Sequence, residues 1–344
     1  MDDAPTVEHI SNAEWDELAP RFRDLSYRQC SSYAEEAARH VGATSEFNRI
    51  MASQNLIGLA NVRIKVIPMT RWGIAYASYA PIVMQQDRYS EREFGRCLDA
   101  LCEEYVERRQ LVLRVVPSPS GGIFQQTQVS YLEARGFCPC LQPPRKTFVL
   151  DLAGSLDELR GNLDPKWRYS LTKSEKSGLK ISRSVELNDF DLFNAIFLDC
   201  TQRKGFMPSQ DARFFKYVQL CSPADQKLVL HLAWHGDELV AGHLGSYVGD
   251  TAVYLLGAAS LAGRDLCASF LLQWSAISYA RTMGNSYYDL GGMDERQNPG
   301  VYRFKRRLNG RSVTEIGPYE LAPDRVSRRI IHLAERARTA VRGK

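Results

Sequence analysis

Cysteine is sparse and scattered, eight residues at 30, 97, 102, 138, 140, 200, 221 and 267, too few for a disulfide scaffold in a chain of 344 residues. Cys138 and Cys140 form only C-x-C, no C-x-x-C pair exists, and the six histidines show no H-E-x-x-H or comparable spacing. No metal site is therefore expected, and buried free thiols are. Long apolar runs are missing too: none approaches the roughly 20 residues needed to span a bilayer. The opening MDDAPTVEHI is acidic and has no apolar signal core, so the expected location is cytoplasmic. Short repeats and low-complexity tracts are also lacking. What is present, 44% apolar and 24% charged residues, is the balance of an ordinary folded protein.

The length exceeds what one hydrophobic core usually serves, so two domains are expected. The clearest boundary lies at CPCLQPPRKTFVLDL, where prolines from 139 to 144 precede a strand-like run, giving domains 1–144 and 145–344. The first reads as a helix over 28–41, strands near 47–51, 56–67 and 72–79, and a helix over 90–109. That helix carries Phe94, Leu98, Leu101, Cys102, Tyr105 and Val106 at helical spacing. The strand LVLRVVP and a short helix ending at Gly136 follow. In the second, Ser155 and Glu158 have capping-box spacing, with helices near 164–176, 189–203 and 210–220. Three strands then turn at His235-Gly236-Asp237 and Gly249-Asp250. A helix over 267–283 feeds the strand SYYDLGG. Antiparallel strands, a helix and another strand thus occur twice, which predicts two α+β domains of one type.

Charge is uneven. Residues 303–344 hold twelve Arg or Lys against four acids, a net +8, so the preceding 302 residues carry −4. The C-terminal segment is expected to meet something anionic. Its last helix puts Val326, Ile330, Leu333, Ala334, Ala337 and Val341 on one face and arginines opposite. It reads as a docking helix that also contacts RNA phosphates, ahead of a membrane-surface helix, since the apolar face lacks Trp and Phe.

The order strands–loop–helix–strand over 228–292 resembles the GNAT acyltransferase fold, whose helix N-terminus receives a phosphate-bearing donor. An acetyl-CoA loop there favours glycines with open backbone amides, but SLAGRDLCASFLL has Leu266 and Cys267 instead. Four stretches resemble the Fem-type aminoacyltransferases, twin-GNAT enzymes that build peptidoglycan cross-bridges from aminoacyl-tRNA. They are DPKWRYSLTKSEKSGLKI, TQRKGFMPSQDARFFKYVQL, HGDELVAGHLGSYVGDTAVYLLGAAS with FLLQWSAISYARTMG, and YYDLGG with VYRFKRRLNG. In the first half, YRQCSSYAEEA resembles the family's opening helix. Tyr79-Ala80-Pro81 stands where the family usually has Arg-Gly-Pro.

The resemblance implies two tandem GNAT-like domains, each a mixed, largely antiparallel sheet flanked by helices. It also implies transfer of an amino acid from aminoacyl-tRNA to an amine: a peptidoglycan precursor, or a small amine or peptide in natural-product (antibiotic) biosynthesis. No cofactor is implied, the aminoacyl-tRNA being the donor substrate. Lys305 matches the family's catalytic lysine and would face the developing oxyanion. Phe304 would pack beside the aminoacyl group or terminal base. Arg203 would hold an anionic group, Tyr254 would offer a hydroxyl, and Arg303, Arg306 and Arg307 would meet tRNA phosphate. Bland roles stand beside these: a solvated strand-edge lysine, a helix-capping Arg203, a packed Tyr254, a structural Asp289 paired with an arginine, and Gly291-Gly292 as a strand stop. An acyl-CoA-dependent GNAT and a catalytically silent tRNA- or partner-binding twin are the alternative functions.

Overall fold

The computed structural model describes residues 4–85, 89–118, 125–142, 144–205 and 210–342. Pro143, residues 206–209 within the stretch TQRKGFMPSQDARFFKYVQL, the Val341 side chain and Lys344 lie outside that description. The chain divides into two compact units, Met1–Pro144 with Glu315–Lys344, and Arg145–Thr314. Each is a mixed seven-stranded sheet flanked by helices, a GNAT-like domain.

In the first unit, β1 (Thr6–Ile10), β2 (Thr44–Ala52), β3 (Asn55–Val66) and β4 (Gly73–Ser78) pair antiparallel in turn. The next, β5 (Val112–Val116), pairs parallel with β4. A parallel step needs a long crossover, supplied by the helix Glu91–Leu101, which continues as a π-helix through Cys102–Arg108. All six apolar residues that predict this helix are buried, against Val62, Ile64, Ala75, Ala77, Leu113 and Val115 of the alternating strands.

The remaining strands are β6 (Cys138–Pro139) and, from the far end of the chain, β14 (Tyr319–Leu321), which lies between β5 and β6. This corrects the sequence-based division: residues 315–344, basic helix included, fold with the first unit. The physical cause is Arg114, a buried cation on β5 directly opposite Glu320 of β14. Its guanidinium donates to Glu320 at 2.9 Å and to Glu335 of the helix Arg325–Arg342 at 2.7 Å. Buried charge requires such partners, and Glu320 also accepts from Arg328 at 2.9 Å and lies 2.6 Å from His332 Nε2. The C-terminal helix therefore docks through Ser327, Ile331 and these polar groups. Of its predicted apolar stripe, Val326 and Leu333 face solvent, 60% and 63% exposed, while Ile330 and Ala334 are half-buried.

In the second unit, β8 (Lys180–Ser184), β9 (Val229–His235), β10 (Glu238–Ser246) and β11 (Thr251–Ala259) pair antiparallel. Next, β11 pairs parallel with β12 (Tyr287–Asp289) across the helix Ala268–Thr282. The sheet ends with β7 (Lys146–Asp151) and β13 (Arg311–Thr314), both antiparallel. Ser155 and Glu158 form the expected capping box. Among the described residues no helix is long and apolar enough to cross a membrane.

Candidate active site

The site residues gather where β11 and β12 stop pairing. Their parallel register runs Thr251–Tyr287, Ala252–Tyr288 and Val253–Asp289, and ends there. On its other side β11 carries a bulge: Leu244 pairs with Leu256, but Gly245 pairs with Tyr254. A bulge bends the strand locally and re-aims its side chains. Beyond Asp289 the chain turns at Gly291, whose φ is +74° and where a Cβ would sit 2.6 Å from the Tyr254 carbonyl oxygen and 3.5 Å from Lys305 Nζ. Only glycine satisfies both conditions.

The segment after this turn is not a strand tail. Asn298 caps the helix Pro299–Arg306, with Pro299 at its first position, the N-terminal signals that override the strand-edge reading. The helix directs Lys305 inward. It is 5% exposed, donates to the Gly292 carbonyl at 2.8 Å, and holds Nζ 5.1 Å from the centroid of the Tyr254 ring. Burial lowers its pKa from 10.5 to about 8, aided by Arg145 and opposed by Asp289. Lys305 is thus a desolvated cation, not a solvated edge residue.

Asp289 takes the structural role. It accepts from Arg145 at 3.0 Å, from the Gly291 amide at 2.8 Å and from the Thr147 hydroxyl. Tyr254 stacks on His243, ring centroids 4.5 Å apart and planes 11° from parallel. Its hydroxyl lies over Gly257, where a Cβ would come within 2.1 Å, and burial pushes its pKa up to about 12.

Other predicted residues go elsewhere. Phe304 turns its ring into the core, 5.8 Å from Trp167 and 5.1 Å from Phe270, so stacking on a base is corrected to packing that fixes the helix. Arg203, in the last turn of the helix Leu187–Lys204, donates to Asp199 at 3.0 Å and to the carbonyl of Ala259, the last residue of β11, at 2.9 Å. It ties that helix to the strand end. Arg303 and Arg306 are exposed, and Arg307 lies 3.9 Å from Asp164.

Sequence reasoning missed a buried polar layer beside Lys305. His243 Nε2 meets the Tyr288 hydroxyl at 2.9 Å; His231 meets Tyr247 at 2.8 Å and Ser275 at 3.0 Å. Burial keeps both imidazoles neutral, His231 at about 3 and His243 well below its usual value. The available signal was a histidine set within each of two apolar strands, LVLHLAW and LVAGHLGS. In the donor loop, a Cβ on Gly263 would meet the Val240 carbonyl at 2.3 Å. That glycine serves packing against β10 rather than a phosphate cradle. Among the described residues no three His, Cys, Asp or Glu side chains are grouped to hold a metal.

The FemAB family model matches residues 227–336. Lipid II:glycine glycyltransferase of Staphylococcus epidermidis is 28% identical over 104 residues, which span 29% of this chain and 24% of that protein. The match thus covers about a quarter of the relative's length. Among solved structures, FemX superposes with a TM-score of 0.78 at 18% identity, over 92% of this chain and 97% of its own. A C-terminal domain named for a lysylphosphatidylglycerol synthetase of Agrobacterium fabrum gives 0.56 at 14% identity, over 94% and 95%. At such identities the two structures speak for the fold. The FemAB model thus matches about a third of this chain, residues 227–336, where the chain resembles Fem-type proteins, and FemX shares its fold.

Proposed function

We propose that the protein transfers an amino acid from aminoacyl-tRNA to an amine, with a peptidoglycan precursor as the acceptor and the cytoplasm as the location. The observation that carries this reading is Lys305, a buried cation held by the Gly292 carbonyl beside the gap between β11 and β12. In the reaction the acceptor nitrogen attacks the ester carbonyl carbon, and negative charge develops on the carbonyl oxygen. The carbon–oxygen bond to the ribose then breaks, and the proton lost by the amine goes to the departing ribose hydroxyl. A cation already fixed in a desolvated place stabilises the oxyanion without reorganising. Lys305 has N–H groups beyond the one given to Gly292.

Around it, Tyr254 lines the gap, Arg203 shapes substrate binding through the end of β11, and Phe304 holds the lysine's helix in place. The exposed Arg303 and Arg306, with the half-buried Arg307, offer cations to the tRNA backbone. The ester is already activated, so the chemistry needs no cofactor. The packed Gly263 speaks against an acyl-CoA donor.

The test incubates the protein with a pool of charged tRNAs and either a peptidoglycan precursor or a metabolite extract of small amines and peptides, with mass-spectrometric detection. Ribonuclease-sensitive product on the precursor supports the reading. Product only on a small amine moves the acceptor to natural-product assembly. Product that requires acyl-CoA, or tRNA binding without product, sinks it.

A further inference from the structure

His243 is buried within β10 and has no part in the chemistry described above. Its Nδ1 is buried and has no hydrogen-bond partner among the described residues. An unpaired buried polar atom is costly, and a phenylalanine would fill the same place without it. The imidazole therefore points to a role beyond packing.

Its contacts converge on one neighbour. Nε2 lies 2.9 Å from the Tyr288 hydroxyl, a hydrogen bond that fixes the plane of the imidazole. The Tyr254 ring lies 11° from that plane, with the centroids 4.5 Å apart. Gly257, the cross-strand partner of His243, leaves open the space that the Tyr254 hydroxyl occupies. Together with the bulge of β10 and β11, these contacts fix the direction in which Tyr254 points. Lys305 Nζ is 5.1 Å from the centroid of that ring. A buried ammonium is attracted to a ring face, so Tyr254 holds Lys305 alongside the Gly292 carbonyl.

We propose that His243 is a positioning residue: clamped by Tyr288, it sets the plane of Tyr254, which in turn holds the Lys305 ammonium beside the gap between β11 and β12. This rests on the reading of Lys305 as the cation that meets the oxyanion. A neutral ring suits the place, because an imidazolium would repel Lys305. Burial, His231 and Lys305 all hold His243 well below its ordinary pKa. Asp289 and Arg145 also act on Lys305, and His231 meets His243 edge-on at 5.7 Å. The variants below leave all three in place.

The experiment measures the Lys305 pKa by NMR in the full chain carrying 13C-labelled lysine, with no substrate present. The signal is identified by its loss in Lys305→Met. His243→Ala frees Tyr254 and weakens the hold on the ammonium, so that pKa should fall by about half a pH unit or more. Tyr288→Phe and His243→Phe keep the stacked ring but lose the clamp. They should shift the pKa in the same direction by less, and they serve where His243→Ala fails to fold. Tyr247→Phe removes the matching hydrogen bond from His231 and should leave the pKa unchanged. With charged tRNA and acceptor, His243→Ala should lose about tenfold in kcat with little change in KM. Its rate should also decline at a lower pH than the parent's. An unmoved Lys305 pKa in His243→Ala, or an equal shift in Tyr247→Phe, overturns the inference. So does a shifted pKa with the parent's kcat. A parent that transfers no amino acid defeats the proposed function instead, and the NMR result still decides whether His243 positions Lys305.

Discussion

Replacing Lys305 by methionine should remove most of the turnover and also change how stability depends on pH. The parent lysine is 5% exposed and its pKa is lowered from 10.5 to about 8. Methionine has similar length and no charge, so it fills the space without a cavity. Below pH 8 both folded and unfolded parent carry the proton, and folding bears the full cost of burying the cation. That shift corresponds to about 3 kcal/mol, at 1.36 kcal/mol per pH unit. Between pH 8 and 10.5 the unfolded chain holds the proton while the folded chain releases it, so the parent gains stability as pH rises. Relative to Lys305→Met, the parent should therefore gain about 2 kcal/mol between pH 7 and pH 9.5. At neutral pH the variant escapes the burial cost but forfeits the charged hydrogen bond to Gly292, worth about 1.5–3 kcal/mol. The two nearly cancel, so the diagnostic quantity is the slope. Urea unfolding of both proteins at pH 7, 8.5 and 9.5 measures it, because other titrating groups drop out of the difference. Turnover by Lys305→Met should fall on the order of a hundredfold or more. The parent's rate should decline above about pH 8 as the cation is lost. A stability difference that ignores pH would show that Lys305 is not a buried cation. A rate that keeps rising through pH 8 would make the neutral amine the working form.

Other outcomes follow from the same geometry. Asp289→Asn removes the charge that raises the pKa of Lys305, so the declining limb of the pH–rate profile should move to lower pH. Gly291→Ala forces a side chain onto a φ of +74° and against the Tyr254 carbonyl. It should cost about 1–3 kcal/mol in unfolding experiments and most of the activity. Arg203→Ala should raise the apparent KM more than it lowers kcat, the pattern of lost uniform binding in steady-state kinetics. Charge reversal at the exposed Arg325, Arg329 and Arg336 should weaken tRNA binding and flatten its salt dependence in filter-binding assays, without unfolding the protein. Deleting the whole helix should instead destabilise the first unit, because Arg114 loses Glu335.

Local signals in the sequence were sufficient wherever the structure obeys local physics. The six apolar residues of the 90–109 helix, the Ser155–Glu158 capping box and the glycine turns at 236 and 249 all operate within a few residues. Asn298-Pro299 is an equally local signal, and reading past it as a strand tail misplaced the elements around Lys305. The Phe-Lys pair was visible as a motif, but not that its two side chains diverge: Phe304 goes to Trp167 and Phe270, and Lys305 to Gly292. Successive helical residues point about 100° apart, and only the surrounding elements decide which direction is core and which is site.

The sequence by itself determined two α+β domains, the element types along them and the lysine in its basic setting, because periodicity, caps and turn residues are short-range. The tertiary structure alone decided three things. Strand β14 crosses to the first sheet because Arg114, about two hundred residues away in the chain, needs the Glu320 carboxylate. Val326 and Leu333 of the last helix are left in solvent because polar partners fix its docking. The Lys305 ammonium is desolvated because Gly291 lets the chain pass close to Tyr254. Each depends on which distant groups share a low-dielectric environment, and linear spacing carries no record of that.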